Sequence, residues 1–254
     1  MKQINMLVVT DIHYVGKAKH VCNLRSRKTE LALELLRMVI YSIDKDKIDL
    51  ILLLGDLVDN GNALGAEDDI VSLSYELKKL GKPVIVVPGN HDPSPEVVFN
   101  LFEDYEGFHE VEGYQFISFA AEYDKNDNAL RDIARMEAAF SYIDPDKPII
   151  VLQHNPVYPP IDSPYPYIIS EADRIIEYYE KRGVLLSISG HAHWGIPSVV
   201  KENVAYLTCP ALCEEPFQYT IISMNGYEYD VKTIALARLS IFQPKINPKK
   251  YFFS

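Results

Sequence analysis

Apolar residues along this chain fall into two patterns. Apolar runs at 6–9, 50–54, 84–87, 149–152 and 184–188 read as strands, and the continuous one at 50–54 is the mark of a strand covered on both faces. Between them, apolar residues recur at helical spacing. Leu31, Leu35, Met38 and Val39 form one stripe over 29–43, and helices are predicted there and over 68–80, 132–143 and 170–182. Ser170 reads as the N-cap of the last helix, with the acid Asp173 three residues on. The end of the chain changes character. Strands are predicted at 204–207, 219–224 and 227–234, the last two joined by the hairpin signal Asn225-Gly226. Strands alternating with helices predict an α/β fold. The closing hairpin adds antiparallel strands, so a mixed sheet or a second sheet is expected.

The polar residues fall where the apolar runs stop. Asp11-Ile12-His13 follows the first run and Gly55-Asp56-Leu57-Val58-Asp59 the second. Gly89-Asn90-His91-Asp92 follows the third, His154 the fourth, and Gly190-His191-Ala192-His193 the fifth. In α/β sheets ligands bind beyond the carboxyl ends of strands, so these five ends can converge on one site. Residues two apart in an extended segment point the same way, which lets Asp11 join His13, and His191 join His193. Carboxylate, amide and imidazole donors without a thiolate suit manganese, iron, zinc or cobalt better than calcium or magnesium. A carboxylate such as Asp56 can bridge two ions, and ions ~3.5–4 Å apart can share a hydroxide and clamp a phosphoryl group. A single histidine at a strand end is usually just a satisfied polar residue. Five in one ordered set argue against coincidence. Gly55, Gly89 and Gly190 read as turn residues, as parts of ligand loops, or as both.

In this order, D-x-H, GDxxD, GNHD, a lone His and GHxH resemble the calcineurin-like metallophosphoesterases, over residues 6 to about 194. The resemblance implies a four-layer αββα sandwich, two mixed sheets flanked by helices. It implies two divalent or trivalent transition metal ions (Mn, Fe or Zn). One would be held by Asp11, His13, Asp56 and His193, and the other by Asp56, Asn90, His154 and His191. His91 would bind no metal and face the leaving group as general acid, oriented by Asp59. Purple acid phosphatases are similar but carry a Tyr ligand where this chain has Asp59, so a coloured Tyr–iron site is not expected. Motif and spacing are most similar to class III cyclic nucleotide phosphodiesterases and related bacterial phosphodiesterases. The implied reaction is hydrolysis of a phosphate ester, a diester first, by a hydroxide shared between the metals. A phosphomonoesterase or protein phosphatase is the alternative. A non-catalytic scaffold ranks below both, since it would be expected to lack His91 or several ligands.

Composition narrows the partners. The 254 residues, 48% hydrophobic, show no linker or repeat, and one domain over 1–254 is expected, with a basic tail at 243–254 that docks on its own domain or on a partner subunit. The net charge of -11 argues against nucleic acid and anionic membranes and leaves a small-molecule phosphate ester as the partner; an oligomer stays open. The apolar start is too short for a signal peptide, and no stretch is long enough to span a membrane. Three Cys without a CxxC pair point to reduced thiols and a cytoplasmic protein, with Cys209 and Cys213 in the core rather than on a metal. His20 and His109 match no motif position, and His109 is expected on the surface. Asp92 reads as a turn cap or as support for a ligand, and Trp194 as packing beside the site. Two loops stand out. Residues 14–29 hold Lys17, Lys19, Arg25, Arg27 and Lys28 without an acid, either a solvated loop or a positive rim. Residues 155–169 hold five prolines with Tyr158, Tyr165 and Tyr167 between them, either a substrate wall or a plain rigid loop.

Overall fold

In the computed structural model, residues 1–236 are described, so the tail expected at 243–254 lies outside the described residues. The chain runs β1 (Ile4–Val9), α1 (Ala32–Ser42), β2 (Leu50–Leu54), α2 (Ala66–Lys78), β3 (Val84–Val87), α3 (Pro95–Phe102), β4 (Gly107–Val111), β5 (Tyr114–Phe119) and the short β6 (Glu122–Tyr123) and β7 (Ala129–Leu130). It continues with α4 (Ile133–Ala139), β8 (Ile149–Gln153), α5 (Ala172–Lys181), β9 (Val184–Ser189), β10 (Ile196–Lys201), β11 (Val204–Thr208), β12 (Gln218–Asn225) and β13 (Glu228–Ala235).

Two mixed sheets result, one ordered β13-β12-β1-β2-β3 and one ordered β10-β11-β9-β8-β5-β4, beside a two-stranded β6-β7. The strands β1, β2 and β3 are parallel, as are β5, β8, β9 and β11. Strand alternation explains why these sheets must stack. On β1, Leu7 and Val9 face one apolar layer and Ile4, Met6 and Val8 another; on β2, Ile51 and Leu53 part in the same way from Leu50, Leu52 and Leu54. The first layer is closed by α1, α2 and α3. The second is shared with Phe116, Leu152, Leu186 and Leu207 of the other sheet, whose alternate residues Ile117, Val151 and Tyr206 face a third layer under α4 and α5, joined by Val184 at a register shift between β8 and β9. Three apolar layers separate four structural layers, helices, sheet, sheet and helices, as the resemblance implies. No helix among the described residues is long and apolar enough to cross a membrane.

The departures from expectation are local. The helix predicted over 29–43 begins as a 3-10 turn at Thr29–Leu31, which leaves Leu31 exposed rather than on the buried stripe. The helix predicted over 132–143 likewise breaks into α4 and a 3-10 turn at Phe140–Tyr142. Ser170 is not the N-cap of α5. Glu171 holds that position, and its side chain makes no capping bond. His109 is buried, not exposed. It points inward from the sheet edge, stacks on the Tyr105 ring at 4.4 Å and sits 3.2 Å from Ser118 Oγ, while the acid beside it, Glu110, points out. Strand alternation, not the acidity of the segment, decides its side. No element was anticipated between 93 and 119, where α3, β4 and β5 lie. The helix α3 is short at eight residues, β4 reads as polar because it is an edge strand, and the apolar run of β5 is broken by Gln115 and Ser118.

Candidate metal centre

The parallel strands of both sheets end on one side of the molecule, and the polar clusters follow directly. Main-chain bonds tie the ends together: Asp11 N–H donates to Gly55 O (3.0 Å), Gly190 N–H to His154 O (2.9 Å) and Cys213 N–H to Asp11 O (3.2 Å). The backbone turns sharply at the polar residues. Asp11, His13, Asp56 and His191 all adopt positive φ, between 48° and 67°. Such φ is uncommon for residues with a side chain and concentrates at functional sites. The neighbouring glycines are needed for close approach. A Cβ on Gly190 would overlap Thr10 Oγ1 and crowd Asp11 Oδ2, and one on Gly89 would overlap the Asp56 carboxylate and main chain.

Four groups of donor atoms form there among the described residues, and two of them share Asp56. Asp11, His13, Asp56 and His193 make one, and Asp56, His154 and His191 the other, each with its atoms within 4.8 Å of one another. Asp56 belongs to both through a single atom: its Oδ2 lies 3.3 Å from His13 Nε2 and 3.4 Å from His154 Nε2. Its Oδ1 accepts from His91 N–H at 2.9 Å. Asp11 divides its oxygens similarly. Oδ2 accepts from His191 N–H at 3.0 Å, while Oδ1 lies 3.3 Å from His193 Nε2. Asn90 turns its amide nitrogen toward Asp127 at 3.5 Å. Among the described residues, Asp11 Oδ1, Asn90 Oδ1 and His191 Nε2 are buried without a hydrogen-bond partner. Buried polar atoms are normally paired. Lone pairs crowded against one another and left unpaired are what a bound cation satisfies, so the residues fit a metal pair.

The outer nitrogens of the histidines are held. His13 Nδ1 lies 3.1 Å from Asp59 Oδ1 and 3.3 Å from Arg27 Nη1, while His154 Nδ1–H donates to Leu54 O at 2.7 Å and His193 Nδ1–H to Glu214 Oε1 at 3.0 Å. Each bond fixes the ring and leaves Nε2 as the inward lone pair. Glu214 has no place in any sequence motif. It lies on the loop after β11, and its one signal is position, next to Cys213, whose N–H reaches Asp11 O. Glu214→Ala is expected to weaken Mn²⁺ binding about 10- to 100-fold, the usual loss when such an outer partner is removed. A competition titration with a chelator reads this directly; unchanged affinity would mean that His193 is oriented without Glu214.

Charge in this pocket is strongly coupled. Burial opposes ionisation of Asp56, but His154 and His13 hold its carboxyl well below the usual range. Burial also opposes charge on His154, yet Asp56 and Asp11 outweigh it and push the imidazole up to about 10. His13 and His191 go the other way, lowered by burial to about 4 and about 3. The carboxylates thus create a field that demands positive charge, and a cation and a proton compete for it. Cys209 and Cys213 are buried, and burial raises both thiols, to about 12 for Cys209; Cys213 lies beside His13 and His193, its sulfur within 4.8 Å of their donor nitrogens.

A cleft of about 540 Å³ opens over the centre, lined by Arg27, Asp56, His91, Asp127, His191 and His193, with Leu24, Tyr165, Tyr167, Trp194 and Glu214 also at its wall. His91 Nδ1–H donates to Asp59 at 2.7 Å, to the main-chain carbonyl. The Asp59 carboxylate, expected to orient His91, is turned away. It accepts from His20 Nε2 at 2.8 Å and from Arg27 Nη1 at 3.1 Å, and lies 3.1 Å from His13 Nδ1. His20, outside every motif, is therefore a partner of the site. Asp92 has the structural role. Its carboxylate accepts from the N–H groups of Leu57, Val58 and Gly89 at 2.8–3.1 Å, pinning two ligand loops together, and burial with Asp56 nearby pushes it up to about 7. Of the tyrosines at 155–169, Tyr165 and Tyr167 face the centre, their rings 5.6 and 5.5 Å from His191. Tyr158 instead packs on Tyr206 at the outer apolar layer. Trp194 does more than pack beside the site: it lines the cleft, 57% exposed.

The sequence profile of the calcineurin-like phosphoesterases matches residues 4–195. A segment of 103 residues, 40% of the chain, is 31% identical to a probable glycerophosphodiester phosphodiesterase of Arcobacter nitrofigilis and spans about a third (34%) of that protein's length. In fold, the chain is similar to a dimetal phosphatase from Danio rerio, with a TM-score of 0.70 at 14% identity over 92% of this chain and 99% of that one. It is also similar to a purple acid phosphatase from yellow lupin seeds, with a TM-score of 0.63 at 11% identity over 93% of this chain and 52% of that one.

Proposed function

Because the chain belongs to the calcineurin-like phosphoesterases, hydrolases acting on phosphate esters, we propose that it cleaves phosphodiesters at a two-metal centre with His91 as general acid. The observation that carries this reading is the sharing of Asp56 Oδ2 between two donor groups, with the His91 ring over the first at 4.7 Å from His13. Asp11, His13, Asp56 and His193 would hold one metal, and Asp56, Asn90, His154 and His191 the other. Bound there, two cations supply Lewis acidity that activates water and neutralises charge on the phosphoryl oxygens.

The protein's own groups do the rest. The Asp59 carbonyl takes His91 Nδ1–H, so Nε2 is the nitrogen left to face the cleft. As the imidazolium, His91 donates the Nε2 proton to the departing alkoxide and ends neutral. The strained ligand loops hold the donors in place before substrate arrives, as Asp92 and the glycine contacts require.

The preference for a diester rests on the partial likeness to a probable glycerophosphodiester phosphodiesterase. The likeness in fold to proteins named as phosphatases supports a monoesterase as the second reading. Metal-stripped protein is expected to be inactive and to regain activity with Mn²⁺, cleaving bis-p-nitrophenyl phosphate faster than p-nitrophenyl phosphate. Faster cleavage of the monoester would overturn the diester preference. No turnover with any transition metal would overturn the catalytic reading itself.

A further inference from the structure

Arg27 is the one Lys or Arg among the described residues that lines the cleft. The other cations of the 14–29 loop, Lys17, Lys19, Arg25 and Lys28, have no acidic partner among the described residues, but none of them reaches the cleft wall. The loop that carries Arg27 is anchored along its length. The buried Asp69 carboxylate accepts from the N–H groups of Gly16, Lys17 and Ala18 at 2.6–3.0 Å. Lys19 N–H donates to Leu64 O, and Lys28 N–H to Cys213 O. Ser26 Oγ–H donates to Glu214 Oε1 at 3.1 Å. At the end of this path Nη1 of Arg27 is fixed on Asp59 Oδ1. The guanidinium side chain is 14% exposed, and its Nε is buried without a hydrogen-bond partner among the described residues.

A guanidinium offers five N–H donors in a planar fork and is always charged. Here Nη1 is used by Asp59 Oδ1 and lies 3.3 Å from His13 Nδ1, and donors remain on a residue at the wall of a cleft whose acids are Asp56, Asp127 and Glu214. An anion entering such a cleft meets these carboxylates, and beside the metal centre and the His91 imidazolium this guanidinium is the positive group at the wall. We propose that Arg27 binds a phosphoryl oxygen of the substrate, one that the metal pair leaves free, and that Asp59 serves as its clamp. The inference rests on the two-metal reading. It makes Arg27 a binding residue for the phosphate group whichever alcohol the ester carries.

The test uses inorganic phosphate as the probe and calorimetry on Mn²⁺-loaded protein, so it needs no turnover. Arg27→Met is expected to weaken phosphate binding about 10- to 100-fold, the range of a charge-assisted hydrogen bond, with the manganese content unchanged. Arg27→Lys keeps the charge without the fork and is expected to fall between Arg27→Met and the original protein. In steady state the loss is expected mainly in KM for the ester. Phosphate affinity equal to that of the original protein in Arg27→Met overturns the proposal. If Arg27→Met loses manganese, the decision passes to Arg27→Lys with full metal content, where unchanged phosphate affinity also overturns it. Failure of the loaded original protein to bind phosphate would do the same. Inactivity toward both nitrophenyl esters, with phosphate still bound through Arg27, would instead overturn the catalytic reading and leave this one standing.

Discussion

His91→Ala is expected to keep both metals and to lower turnover of an alkyl phosphodiester ~100- to 10,000-fold, the usual contribution of a general acid. Metal retention follows from the geometry. The contact between this residue and Asp56 is made by the His91 main-chain N–H, which alanine preserves. The imidazole itself belongs to neither group that shares Asp56, although it forms a separate cluster of donor atoms with His13 and Asp59, its ring 4.7 Å from that of His13. A nitrophenolate leaves without a proton, so the same variant should lose far less on bis-p-nitrophenyl phosphate. The measurement is the ratio of the two losses in kcat, with metal content checked by elemental analysis. Equal losses on both substrates would remove the acid role. Lost metal would give His91 a structural one.

The second large effect is expected from Asp56→Asn. This substitution keeps size and shape and removes the charge. The amide then faces two bad choices. If its NH₂ takes the Oδ1 position, it opposes the His91 N–H; if it takes the Oδ2 position, a donor sits between His13 Nε2 and His154 Nε2, where a shared ligand is required. Either way both donor groups lose their common carboxylate. Bound metal is expected to fall below two per chain. Activity should fall ~1,000-fold or more, since metal ions supply several kcal/mol of transition-state stabilisation. Two metals held at the original affinity would show that Asp56 is not the bridge. Added excess Mn²⁺ separates weak binding from lost chemistry.

Much of this site was legible along the chain because each ligand lies within a few residues of a strand end. Apolar runs mark the strands, strand ends in an α/β sheet lie on one side, and the motif residues follow at once. Asp11, His13, Asp56, His154, His191 and His193 are brought together as that reasoning expects. The layers were legible for a related reason. Runs such as Leu50–Leu54 are apolar at every position, and a strand with no polar face must be covered on both sides.

Other features left no pattern to read. Asp59 was assigned to His91 through its carboxylate, but that group meets His13, His20 and Arg27, and the carbonyl meets His91. Glu214 reaches His193 across a loop, and Arg27 reaches Asp59 from 32 positions away. His109 turned inward because edge-strand alternation set its direction, and Tyr158 turned from the cleft to Tyr206 while Tyr165 and Tyr167 stayed. The sequence by itself determined the five parallel strands that carry the site, their covering layers and the candidate ligands at their ends, because these depend on periodicity within a few residues. The tertiary structure alone decided which outer groups hold those ligands and which side chains wall the cleft. Such contacts join loops distant in the chain, and no local repeat of polar and apolar residues encodes them.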